Sequence, residues 1–118
     1  MVVSLAPVEK FRDYVFKPGA THGKDQVFRL LGYDISHSEE LARLYEQQAT
    51  DKYGRQDCVL GVLDQHGQRV SIEIEVPGIG EHQGHVSYLV SGWMIRSDDS
   101  LTLNTPFSGF SRERLDYA

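Results

Sequence analysis

The sequence predicts an α+β fold in which N-terminal helices pack on one face of a twisted antiparallel sheet of about four strands. Apolar residues recur at helical spacing in the first half of the chain and at every second position afterwards. This change of period separates a helical part, about 8–53, from a sheet part, about 57–107. Helices that precede antiparallel strands are typical of α+β domains. With 118 residues, the chain is expected to form one domain over 1–118.

Helical spacing and stop signals predict three helical segments. The first covers about 8–16 and is ended by a segment rich in proline and glycine. The second is a short apolar helix with Gly32 as its C-terminal stop. The third and longest begins at a capping box formed by Ser36 and Glu39 and ends at Gly54.

Alternating apolar and polar residues predict the strands. A hairpin is expected to turn at 65–68. A long strand follows over about 85–95, where a change of apolar parity marks Gly92 as a bulge. A last strand begins after the turn at 96–100 and is expected to close at Pro106.

The charge balance limits the function classes. The net charge is −5, and residues 61–118 hold 4 Lys/Arg against 8 Asp/Glu, whereas residues 1–60 hold 8 against 9. A protein that coats nucleic acid through bulk charge would be basic, so any polyanion site must be local, and the N-terminal half suits it better. No apolar run predicts a membrane span, and the N-terminus does not resemble a signal peptide. Motifs for ATP, dinucleotide or serine-hydrolase chemistry do not occur.

The stretch PGATHGKDQVF places an imidazole and an ammonium side by side at a predicted helix start. A cation is unfavourable there unless an anion lies nearby, so His22 and Lys24 are candidates for binding a phosphate. A histidine can also move a proton during attack of a ribose 2′-hydroxyl on phosphorus. A solvated turn is the alternative interpretation.

The sheet part adds further candidates. His85 opens a strand and is a second candidate acid or base, while His82 and His85 lack the third ligand that a metal-site motif would supply, so no metal is predicted. Trp93 is either a core residue or a platform for a base. Hydroxyl and amide groups on the late strands can hold phosphate oxygens, although threonine is also a common strand residue. These residues are Ser91, Asn104 and Thr105.

The order of short motifs resembles a domain family found at the C-termini of bacterial polymorphic toxins and of some phage head-morphogenesis proteins. The resemblance covers about residues 10–107. The chain departs from the family pattern in its longer loop at 77–84 and in its net acidity. The matching positions are Tyr14, Pro18, Gly23, Lys24, Phe28, Leu31, Gly32, Tyr53, Gly54, Gly67, Trp93, Leu103 and Thr105.

The resemblance implies a layout similar to ribonucleases of the barnase/EndoU/colicin/RelE type, as in contact-dependent growth inhibition toxins. Such a domain would cleave RNA, especially tRNA, without a metal or other cofactor. A cognate immunity protein would neutralise it. A secreted effector would deliver it to the cytoplasm of a target bacterium. Lys24 would bind the scissile phosphate, His22 or His85 would transfer protons, and the late-strand residues would position the substrate.

A protein-binding module is the second hypothesis. Acidic side chains on the sheet part would form a face that docks a basic protein without catalysis, as an immunity protein or a phage structural adaptor would. The residues of this predicted face are Glu73, Glu75, Glu81, Asp98 and Asp99.

Overall fold

The computed structural model describes residues 3–112. Five strands and two α-helices form the described part of the chain, together with three short helical turns. In chain order these are β1 (Ser4–Leu5), a π-helical turn (Phe11–Val15), α1 (Asp25–Leu30), a 3-10 turn (Ile35–His37), α2 (Ser38–Gly54), β2 (Val59–Asp64), β3 (Gly67–Pro77), a second 3-10 turn (Gly80–His82), β4 (Val86–Ile95) and β5 (Leu101–Phe110).

The strands form one mixed sheet with the order β1-β5-β4-β3-β2. Strands β2 to β5 are antiparallel neighbours, which confirms the α+β class and the meander of four strands. The prediction missed β1, which pairs in parallel with β5 through Ser4 and Leu101. Two residues are too short to show a period of two, so the sequence gives no signal for this strand.

The core lies between the sheet and the helical layer. Alternate residues of β3, Ile72 and Ile74 among them, are fully buried, as the alternation in the sequence predicts. Helix α2 contributes Leu41 and Tyr45 to the same core. Phe11 packs edge-on against Tyr45, with ring centroids 5.0 Å apart, and so fixes the π-helical turn onto α2.

Helix α2 also covers part of an open sheet edge. Strand β2 pairs with β3 only as far as Ser71, so the peptide groups further along β3 have no strand partner on that side. The side-chain amide of Gln48 donates to the Glu75 carbonyl at 2.7 Å and accepts from the Glu75 N–H at 2.8 Å. The buried ammonium of Lys52 donates to the Glu73 carbonyl at 2.6 Å. Side chains of α2 thus satisfy peptide groups that a strand would otherwise pair.

Two predicted boundaries need correction. The capping box lies two residues earlier than expected, where Asp34 accepts from Ser36 N–H and His37 Nδ1 accepts from Asp34 N–H. Asp34, which precedes the 3-10 turn, is therefore the capping residue, in place of Ser36. Strand β5 does not close at Pro106 but continues to Phe110, because a change of register accommodates the proline.

Two glycine predictions are confirmed. Gly32 follows α1 with a φ of 99°, a conformation that favours glycine. Gly92 lies at the register shift between β4 and β5. Among residues 3–112, no helix is long and apolar enough to cross a membrane.

Candidate functional site

A pocket of about 350 Å³ opens where the N-terminal segment meets β5. It brings together two predicted residues, Asn104 and Thr105, and side chains from the start of the chain that the sequence analysis did not assign to a site. Its lining consists of Pro7, Glu9, Lys10, Tyr14, Asn104 and Thr105. A concave site of this size with converging polar groups is a typical small binding site.

The pairing of β1 with β5 brings the N-terminal segment to the pocket. Beyond β1 the chain is fixed to α2, because the Ala6 N–H donates to Glu46 at 2.8 Å and the Ala6 carbonyl accepts from Arg43 at 3.1 Å. Pro7 then leads into the π-helical turn. The pairing of β1 with β5 therefore determines which part of β5 lies opposite the π-helical turn.

A β-bulge turns the other wall toward the pocket. Trp93 pairs with Leu103 and Gly92 pairs with Thr105, so Asn104 is an extra residue on β5. Asn104 is exposed and Thr105 is half-buried. The Tyr45 hydroxyl donates to the Pro106 carbonyl at 2.8 Å and so anchors this irregular part of β5 to α2.

Tyr14 connects the predicted cation pair to this pocket. The Lys24 ammonium lies 5.1 Å from the centroid of the Tyr14 ring, at cation–π distance, and the His22 ring centroid lies 4.8 Å from the same ring. Lys24 is half-buried, so its side chain does not extend freely into solvent. The structure thus brings His22 and Lys24 to the side chain that also faces Asn104 and Thr105.

The hydrogen bonds of His22 give it a positioning role. Its Nε2–H donates to the Tyr14 carbonyl at 2.8 Å, and its Nδ1 accepts from the Lys24 N–H at 2.9 Å. A carbonyl only accepts and an N–H only donates, so these partners assign the neutral tautomer with hydrogen on Nε2. Both ring nitrogens are occupied, and the imidazole links the π-helical turn to the backbone of Lys24.

Lys10 and Glu9 are the charged pocket residues that sequence analysis missed. Lys10 precedes Tyr14 by four residues, so helical spacing places both side chains on one face, and this signal was available. Glu9 also lies 3.5 Å from the Arg12 guanidinium. The pocket lining therefore contains an ammonium, a carboxylate and a phenol, and a second ammonium, that of Lys24, lies over the phenol ring.

Ser91 and Trp93 do not form part of the pocket. Trp93 is 1% exposed and Ser91 is 0% exposed. The indole N–H donates to the Ser91 hydroxyl at 2.8 Å, which donates to the Ile72 carbonyl at 2.7 Å. Their substrate-binding assignment needs correction, because neither can touch a ligand unless the core opens. Trp93 is the core residue that the alternative interpretation expected.

His85 lies far from the pocket along β4. It precedes the strand and is exposed, whereas Thr105 pairs with Gly92, seven residues further on. At about 3.3 Å per strand residue, the separation along the strand is roughly 23 Å. His85 therefore cannot share a reaction centre with Thr105 in this arrangement. Residues 3–112 contain no group of three or more potential metal ligands.

The predicted acidic face is not continuous. Arg112 contacts Glu73 through two hydrogen bonds, at 2.9 and 3.0 Å, which together with Ser111 hold the pKa of Glu73 below its ordinary value. Glu81 and Asp98 lie beyond opposite ends of β4, whose ten residues span roughly 33 Å. The five acids therefore do not converge on one docking surface.

Comparisons with known proteins agree with this architecture. A chain in the solved structure "Contact-dependent growth inhibition toxin - immunity protein complex from Klebsiella pneumoniae 342" has a similar fold, with a TM-score of 0.65 and 19% identity over 90% of this chain and 95% of that chain. No curated protein sequence matches the chain. The model of one family, described as "Domain of unknown function (DUF6883)", matches residues 3–108. Since this match covers most of the chain, the protein belongs to the DUF6883 family.

Proposed function

We propose that this protein is the toxin member of a toxin–immunity pair and that it cleaves RNA at the pocket between the π-helical turn and β5. The fold it shares with a chain of a toxin–immunity complex supports a role in such a pair, as toxin or as immunity protein. The pocket favours the toxin, because its lining includes Tyr14 and the Lys10 ammonium, and the Lys24 ammonium lies 5.1 Å from the centroid of the Tyr14 ring on an otherwise acidic protein. The presence of these two ammonium groups next to one small pocket is the observation that carries the proposal.

The proposed chemistry uses groups of the pocket. The Glu9 carboxylate takes the proton of the ribose 2′-hydroxyl, whose oxygen then bonds to phosphorus. The bond from phosphorus to the 5′-oxygen breaks, and the Tyr14 hydroxyl gives that oxygen a proton. Lys10 and Lys24 stabilise the negative charge that develops on the phosphate, which is the role a metal ion has in other nucleases.

The remaining pocket residues position the substrate. Thr105 and Asn104 offer a hydroxyl and an amide to phosphate or ribose oxygens, as the sequence predicted. His22 holds the backbone of Lys24 and is a positioning residue in this scheme. The products are a 2′,3′-cyclic phosphate and a free 5′-hydroxyl. Transfer RNA is the proposed substrate. Delivery by a secreted effector into the cytoplasm of a target bacterium, and neutralisation by a cognate immunity protein, complete the proposal.

Cleavage of purified tRNA and total RNA in the presence of EDTA tests the activity. Lys24→Ala should lower the initial rate about 10²–10³-fold if its ammonium stabilises the transition state directly. Lys17→Ala is the matched control, because Lys17 is exposed and, unlike Lys24, does not lie over the Tyr14 ring. Tyr14→Phe and Glu9→Gln should each remove one proton-transfer step. Full activity of a Lys10→Ala, Lys24→Ala double variant would exclude this mechanism.

The immunity member of such a pair is the second candidate function. The net charge of −5 favours it, because an acidic protein can cover a basic nuclease surface. Expression of the chain alone in bacteria separates the two. Growth arrest that is relieved by Lys24→Ala supports the toxin. Harmless expression, no RNA cleavage and inhibition of a toxin encoded by the adjacent gene would assign the immunity role.

A further inference from the structure

Strand β2 is an open, apolar edge of the sheet. It is last in the strand order, and in the described part of the chain no strand pairs with its outer side. Val59, Leu60, Val62 and Leu63 are 70%, 64%, 62% and 73% exposed. Proteins protect edge strands with charges, prolines, bulges or a covering element, since unpaired peptide groups beside apolar side chains invite another strand. The pairing of β2 with β3 changes register between Leu60 and Leu63, but in the described part of the chain no element covers the four apolar side chains.

The other half of the same edge is protected. Beyond the pairing with β2, the edge of β3 is covered by α2, where Gln48 and Lys52 bind the peptide groups of Glu75 and Glu73. The chain therefore covers this edge where β3 is outermost and leaves it open where β2 is outermost. This contrast within a single edge makes β2 the part of the edge that is open to another strand.

We infer that β2 is the docking strand for a separate protein, whose own edge strand extends the sheet. The inference rests on the proposed function, because that protein is the immunity partner of the pair. Consecutive residues such as Val59 and Leu60, which pair regularly with β3, point to opposite faces of a strand, so the partner must cover both faces of β2. The edge strand of the partner carries apolar side chains at its centre. Hydrogen bonds between its peptide groups and those of β2 set the register of the two strands.

The charges at the ends of β2 exclude a second copy as the favoured occupant. Asp57 precedes the strand and Asp64 ends it, and both are exposed. Antiparallel overlap of two β2 strands would bring the Asp57 end of each copy to the Asp64 end of the other. Like charges would therefore meet at both ends of the pair.

Arg55 does not neutralise this end of the strand, because its guanidinium is already 3.0 Å from Asp51. A partner with lysine or arginine at both ends of its strand, and contacts beyond it, fits β2 better than a second copy.

The product of the gene adjacent to this one is the probe. The affinity of the adjacent gene product is measured for two variants of this chain, Leu60→Lys and Val62→Lys, which each place a positive charge on β2. Leu30→Lys is the matched control. Leu30 is 66% exposed on α1, so the control adds the same charge at an exposed leucine on a helix. Amide hydrogen exchange of β2 is compared in the free and bound chain. Asp57→Lys tests the basic flank of the partner.

We expect both β2 variants to bind at least about tenfold more weakly, Leu30→Lys to bind normally, and β2 amides to exchange more slowly in the complex. Asp57→Lys should slow association and reduce its salt dependence. A complex that forms with unchanged affinity and unprotected β2 amides would overturn the inference and leave the toxin–immunity pair intact. A chain that forms dimers alone, through contacts that Leu60→Lys abolishes, would overturn it in favour of a second copy.

Absence of any complex with the adjacent gene product would refute both the pairing and this docking strand. The RNA-cleavage experiment would still stand, because it requires only the isolated chain. The β2 substitutions are at exposed positions, so unchanged thermal unfolding of each variant is expected and is measured first.

Discussion

Replacement of Tyr45 by phenylalanine tests whether the helical layer holds the bulged part of β5 in place. The Tyr45 side chain is fully buried and its hydroxyl donates to the Pro106 carbonyl at 2.8 Å. Phenylalanine keeps the ring contact with Phe11 but leaves that carbonyl without this donor in the interior. An unsatisfied buried acceptor costs about 1–3 kcal/mol, so the free energy of unfolding should fall by that amount.

Urea unfolding, followed by the fluorescence of the single buried tryptophan, Trp93, measures this loss directly. For a domain of this size the melting temperature should fall by about 4 °C for each kcal/mol. Tyr53→Phe is the control, since Tyr53 is half-buried on the same helix, and a loss below about 0.5 kcal/mol is expected there. Equal stability of Tyr45→Phe and the parent protein would refute the anchoring role of this hydrogen bond.

Three further perturbations address the sheet edge, the turn after α1 and an ion pair. Lys52→Met removes the buried donor to the Glu73 carbonyl and should cost about 1–3 kcal/mol in urea unfolding; no loss would mean that water replaces the ammonium. Gly32→Ala places a Cβ 2.8 Å from a backbone carbonyl at a φ of 99°, so it should destabilise more than Gly19→Ala, which has positive φ but no atom within 4 Å; calorimetry of both variants checks the difference. The pKa of Glu73 is lowered by Arg112, so the stability from this partly exposed pair is complete above the ordinary glutamate pKa and is lost as pH falls through the lowered value. Urea unfolding from about pH 6 to about pH 3 should show a loss of about 1 kcal/mol or less that Glu73→Gln lacks.

The regular elements could be predicted from the sequence because burial repeats along them. The alternation of β3 and the apolar stripe of α2 each sum many similar residues, so one exception does not hide the period. Gly32 and Gly92 were also predictable, because a glycine at a change of pattern marks a turn or a bulge. Strand β1 was not predictable, since its two residues pair with β5, about 100 positions later, and carry no local signal.

The site could be predicted only in part. Lys24, Asn104 and Thr105 were predicted by residue type and place in the pattern; Lys24 lies over the Tyr14 ring, and Asn104 and Thr105 line the pocket that Tyr14 also lines, while their role stays a prediction. Ser91 was misassigned, because a serine within a strand can equally bind a carbonyl in the core, as it does with Ile72. A site also depends on the distances between elements that are remote in sequence, and a sequence pattern does not contain these distances.

Tyr14 illustrates why the part of the site that the sequence did not predict lies in irregular structure. Within the same turn Phe11 is buried, whereas Tyr14 is 38% exposed. The π-helical turn is wider than an α-helix, so the buried positions become Phe11 and Val15, and Tyr14 turns outward to the pocket. On the facing wall the extra residue Asn104 breaks the ladder of β5 in the same way. Each irregularity interrupts the regular alternation of buried and exposed residues and exposes one polar group. The residues that best fit a function in this protein are therefore the ones whose position a periodic pattern predicts least well.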